Sequence, residues 1–177
     1  MRTDRASRYT LPAVFLHWVM ALMIFALFAI GWYMVDLPRG PDRSANFALH
    51  KSIGLSVFGL ALVRIVWRYF HRPPTYVTSM VRWRVTIARS VHLLFYVVLF
   101  TQPLSGYLSS SFSGYKTMLF GIPLPHWGWQ DAPLNEFFTE IHVISAVLFA
   151  ILVTLHVTGA LAHAFSRDDG VFRRILP

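Results

Sequence analysis

The chain has 177 residues, enough for one domain and too few to hold a separate soluble module beside it. Its 55% hydrophobic and 14% charged residues depart from the soluble balance of about 45–50% and about 25%, which excludes an ordinary water-soluble fold. It contains no cysteine, which excludes disulfides, iron–sulfur clusters, thiolate zinc sites and covalent C-x-x-C-H haem attachment.

The first uncharged run, Tyr9 to Val35, predicts a helix over about 10–35. It is too long for the 7–15-residue core of a signal peptide, and no A-x-A pattern follows Gly31. A second apolar run predicts a helix over 46–68, although it contains Lys51 and Arg64. Lys51 lies near one end and can snorkel, whereas Arg64 sits about a turn inside the other and needs a partner. The link from His71 to Arg89 holds Pro73 and Pro74 and then a basic stretch, and it reads as a surface segment. Helices over 88–112 and 136–166 follow. Each span exceeds the roughly 20 residues needed to cross a hydrocarbon core of about 30 Å. Between the last two, Tyr115 to Asn135 is rich in Pro, Gly and Trp, and Trp127 and Trp129 suit a loop along the membrane interface. The predicted fold is an all-α membrane protein, a four-transmembrane-helix bundle forming a single domain over 1–177.

Charge orients it. With the N-terminus inside, Arg2, Arg5, Arg8, Arg64, Arg68, Arg72, Arg82, Arg84, Arg89, Arg167, Arg173 and Arg174 all fall on the cytoplasmic side. Arg39, Arg43, Lys51 and Lys116 face outward beside Asp36, Asp42, Asp131, Glu136 and Glu140. The positive-inside rule then puts both termini in the cytoplasm. The net charge of +8 is a topology signal and not a nucleic-acid footprint.

Ionisable residues within spans are costly and are functional candidates by default. His142 and His156 are fourteen residues apart on the last helix, nearly four turns, so they share a face and are separated by roughly 21 Å. The interval recurs from His17 to Gly31, His50 to Arg64 and His92 to Gly106. Two levels result. His50, His142, Gly31 and Gly106 lie at the outer one; His17, His92, His156 and Arg64 lie at the inner one. Any one of these histidines fits an ordinary packing role, and either glycine fits helix packing. Two depth-matched layers of imidazoles point instead to two b-type haems: paired histidines fill both axial positions of an iron, glycine admits a flat macrocycle, and Arg64 suits a propionate. A histidine-only zinc or proton-relay site is the alternative.

These residues resemble the bacterial diheme cytochrome b561 family over nearly the whole chain. The likeness rests on His17-Trp18, on HKSIGLSVFGLALVRIVWR from His50, on HLLFYVVLFTQPLSGYL from His92, on His142, His156 and His163, and on the closing DDGVFRRILP. Within the family the chain is similar to short, stand-alone superoxide oxidases, which oxidise superoxide to oxygen at the outer face and reduce ubiquinone. Related cytochrome b subunits of hydrogenases and formate dehydrogenases instead relay electrons from an iron–sulfur partner subunit. The resemblance implies an outer haem on His50 and His142 and an inner haem on His17 and His156. Spacing supports the first pair, since only those two histidines occupy the outer level, but leaves His92 as a third inner candidate. His92 and His163 are candidates for a quinone site, and Lys51 and Lys116 for guiding superoxide. Against that, His163 also fits a simple helix end, and either lysine fits an interface anchor or propionate partner. His71 and His126 fall in loops and read as solvated.

Overall fold

The computed structural model describes residues 8–74, 82–165 and 172–176. Four long helices account for most of them: α1 (Leu11–Asp36), α2 (Pro41–Phe70), α3 (Arg82–Phe112) and α4 (Ala132–Phe165). All four are long and apolar enough to cross a membrane. The chain is thus a multi-pass four-helix membrane protein. A hairpin of β1 (Met118–Leu119) and β2 (Ile122–Pro123) joins α3 to α4, and a 3-10 turn, Phe172–Ile175, follows α4.

Local chemistry sets the ends. Gly40 precedes Pro41 at the start of α2, where a missing N–H costs nothing, and Asp42 lies in the first turn. The end of α1 would leave carbonyls bare, and Arg43 donates to the Val35 and Leu37 oxygens at 3.1 and 2.6 Å. The Asp131 carboxylate accepts from the Leu134 amide at 3.0 Å and caps α4. That cap starts α4 at Ala132, ahead of the 136 expected, and shortens the preceding loop. Likewise α3 begins at Arg82: the basic stretch from 82 to 89, read as a surface segment, continues the span as helix. Residues 75–81 of that link lie outside the described residues.

The helices pack as two hairpins, α1 along α2 and α3 along α4, joined by α2 against α3. Met20, Val57, Ala61, Val98, Leu99, Phe149 and Leu152 form a slim buried core. Large apolar side chains point outward, including Phe15 (68% exposed), Leu22 (69%) and Ile144 (69%). Lipid tails are as apolar as leucine, so this surface is stable in a bilayer and would aggregate in water. The described N- and C-terminal segments meet at one end. There the Tyr9 amide donates to the Arg174 carbonyl at 3.3 Å, and the Trp18 indole donates to the Ile175 carbonyl at 2.8 Å.

At the opposite end the hairpin folds over the bundle. Phe120 and Gly121 both have positive φ, 48° and 89°, as a two-residue hairpin turn matching strand twist requires. Ser52 of α2 holds this turn: its hydroxyl accepts from the Phe120 amide at 3.0 Å and donates to the Met118 carbonyl at 3.2 Å. Trp127 and Trp129 remain exposed at this end, packed edge-on against Tyr107 and Phe112.

Candidate functional site

The predicted residues converge at two heights. Near the hairpin end, His50 of α2 and His142 of α4 face each other with ring centres 6.3 Å apart and planes at 75°. Near the end where the termini meet, His156 of α4 has two neighbours: His17 of α1 at 6.1 Å and His92 of α3 at 5.8 Å. At this level the structure thus brings three imidazoles together, His17, His92 and His156.

These distances have a chemical reading. A metal–imidazole bond is about 2 Å and a five-membered ring's centre lies roughly 1.2 Å from its vertices, so two rings sharing one ion would have centres up to about 6.4 Å apart. Among the described residues, no group of three or more His, Cys, Asp or Glu could hold a metal ion. Two imidazoles do not complete a tetrahedral zinc site. They do complete an iron whose other four positions come from a porphyrin.

The surroundings of the outer pair fit that group. His142 Nδ1 donates to the Gln102 carbonyl at 2.9 Å, which fixes the tautomer and leaves Nε2 unprotonated, with a lone pair to offer. In this structure that lone pair accepts from the Gln102 side-chain amide at 3.2 Å. The Ser145 hydroxyl donates to the Gln102 side-chain oxygen and holds the amide in place. On the other ring, His50 Nδ1 is buried without a hydrogen bond of normal geometry, although the Leu27 carbonyl is close enough to act on it.

The two glycines do something more specific than expected. They make room for the imidazoles. A Cβ on Gly106 would lie 2.9 Å from His142 Cε1, and one on Gly31 would lie 3.3 Å from His50 Cε1. Each helix lacks a side chain where the facing histidine needs space.

Phe149 separates the two levels. It lies seven residues from both His142 and His156, on their common face. It is 5% exposed and packs edge-on against Phe28 and Phe95. Phe95 in turn touches the His156 ring, with centres 5.3 Å apart. This aromatic layer fills the bundle between the two levels.

The remaining candidates are placed as follows. Arg64 is half-buried, bonds the Ala13 carbonyl at 3.2 Å and acts electrostatically on His17, His92 and His156. Lys51 turns inward at the hairpin end, and its ammonium donates to the Ser110 hydroxyl at 2.6 Å. Thr117 donates to the same oxygen at 2.9 Å. Lys116 is at the exposed surface of the hairpin loop, whereas His163 is half-buried in the last turn of α4. His71 and His126 are exposed, and His71 stacks on Trp67 with ring centres 3.9 Å apart. Sequence reasoning missed Gln102, Ser145 and Phe149. A glutamine inside a span was itself a signal, since polar side chains at that depth need a reason.

The pattern of the family described as prokaryotic cytochrome b561 matches residues 8–177. The chain belongs to this family. Cytochrome b561 homolog 2 of Escherichia coli (strain K12) is 29% identical, the match covering 98% of this chain and 94% of that protein. Cytochrome b561 homolog 1 of the same organism is 22% identical, covering 97% and 98%. As a prokaryotic cytochrome b561, the chain is a membrane electron-transfer cytochrome that binds b haem, and its four spans suit the inner membrane.

Proposed function

We propose that the chain binds two haems b, one at each level, and works as a superoxide:ubiquinone oxidoreductase with both termini in the cytoplasm. The observation that carries the two-haem part of this reading is the pair of cross-bundle imidazole spacings, 6.3 and 6.1 Å, at two depths; the superoxide and ubiquinone part rests on the family resemblance. His50 and His142 are assigned to the outer haem and His17 and His156 to the inner one. The family resemblance favours His17 with His156, which leaves His92, 5.8 Å from His156, beside the inner site.

When bound, the haems supply one-electron carriers linking the two faces of the membrane. Each superoxide loses one electron and leaves as oxygen. Reducing one quinone to quinol takes two electrons and two protons, so two superoxide ions are consumed per quinone. The protein's own part is to hold, guide and protonate. Lys51, next to His50 and half-buried, offers a cation to an incoming anion. His92 and His163 are our candidates to deliver protons to a quinone on the other side. Arg64 would hold a propionate of the inner haem.

The test has two stages. Pyridine-haemochrome quantitation is expected to give two haems b per chain; one would defeat the two-level assignment. Haem-loaded protein in ubiquinone-containing proteoliposomes is then expected to reduce quinone faster with a superoxide source than empty vesicles do. No acceleration, together with co-purification of an iron–sulfur subunit, would replace the enzyme by an electron-relay subunit of a hydrogenase or formate-dehydrogenase type complex.

A further inference from the structure

A narrow cleft opens where the termini meet, between the start of α1, the end of α2 and α3. Its described lining includes Arg8, Arg64, Arg68 and Arg72 and no carboxylate. Arg64 forms the floor, half-buried and bonded to α1, and faces the inner histidines. Arg8, Arg68 and Arg72 are exposed around the mouth. The Arg68 guanidinium is steered by Tyr96, lying 5.9 Å over its ring.

Helix ends do not supply the field here. The N-terminus of α1 carries about half a positive charge and the C-terminus of α2 about half a negative one, and the two meet at this cleft and offset each other. Among the described residues, what remains is four guanidinium charges. The Thr10 hydroxyl is taken by the Trp67 indole at 2.9 Å, so the first turn of α1 has no side-chain cap. The cleft is therefore strongly cationic and built from planar forks that suit phosphate oxygens.

Its depth selects the source of the phosphate. Trp67 and the exposed Tyr69 ring the end of α2, the pattern of residues at the headgroup level. Val66 and Phe70, on the face of α2 turned away from the cleft, are 57% and 72% exposed, so this end of the helix is still at a depth where apolar side chains meet lipid. We propose that this cleft binds the phosphate of an anionic phospholipid, with Arg8, Arg68 and Arg72 as donors. The site is independent of the superoxide reading and of which face of the membrane it occupies.

The test is native mass spectrometry of the haem-loaded protein released from micelles containing equal phosphatidylglycerol and phosphatidylcholine. Wild type is expected to retain one phosphatidylglycerol per chain. A basic residue near an anionic surface contributes about fivefold, so the double variant Arg68→Gln/Arg72→Gln should lose roughly thirtyfold in retention with its haem absorbance unchanged. Arg8→Gln, outside the helices, should lose about fivefold and serves if the double variant misfolds. Equal retention of the two lipids, or undiminished retention in the variants, overturns the proposal. Complete displacement by millimolar inorganic phosphate overturns the lipid assignment. Loss of haem absorbance with lipid retention intact gives these arginines to haem propionates instead.

Discussion

Replacing Gly106 by alanine tests the packing of the outer site most directly. The added Cβ would lie 2.9 Å from Cε1 and 3.0 Å from Nδ1 of His142, against the 3.4 Å at which ordinary contact begins. The ring must therefore move by about half an ångström, and it is tethered through Nδ1 to the Gln102 carbonyl. Overpacking of this kind costs about 1–3 kcal/mol, while disturbing a metal ligand's supporting bond costs about 10–100-fold in affinity. Alanine's helix propensity works the other way by about 1 kcal/mol. The expected result is selective weakening of the outer haem by about 10–100-fold, read as loss of one haem per chain to an apomyoglobin scavenger. Gly31→Ala, at 3.3 Å, should do the same more mildly, and Gly59→Ala, whose Cβ meets nothing within 4 Å, should leave haem content unchanged. If Gly106→Ala keeps both haems, with unchanged spectra and a raised Tm, the glycine serves helix packing alone and the reasoning fails.

Further outcomes are expected. His50→Ala and His142→Ala should remove the same half of the redox absorbance, and His17→Ala and His156→Ala the other half; His92→Ala should keep both haems and slow quinone reduction. If His92→Ala loses the inner haem while His17→Ala keeps it, the inner assignment is reversed. Lys51→Gln should lower the superoxide-driven rate and flatten its dependence on ionic strength, since steering by a cation is screened by salt. An unchanged salt profile would remove Lys51 from the path. Phe149→Ala should lower stability by about 3–5 kcal/mol, measured as a fall in Tm in detergent, because it empties a buried aromatic layer. A shift of only a degree or two would mean that the layer collapses around the gap.

Legibility followed the range of the interactions. Four spans could be read from the chain because crossing a bilayer demands long apolar runs, a requirement each segment meets by itself. The two levels were equally legible, since fourteen residues on one helix define a fixed rise and a shared face without reference to any other helix. Helix ends were read less well. Asp131 starts α4 early through a local bond, and the basic stretch before Ser90 stays helical because long arginines tolerate the interface.

What the chain could not disclose is which side chains meet across the bundle. That His156 stands between His17 and His92, that Gly106 yields to a histidine ring and that Gln102 holds His142 all depend on how far apart the helices sit and how they are rotated. The arginine cleft is of the same kind: Arg8 is far in sequence from Arg64, Arg68 and Arg72, and only the packing of α1 on α2 brings them to one opening. Periodicity along a helix belongs to the sequence, because covalent geometry sets it; proximity between helices belongs to the fold, because packing does.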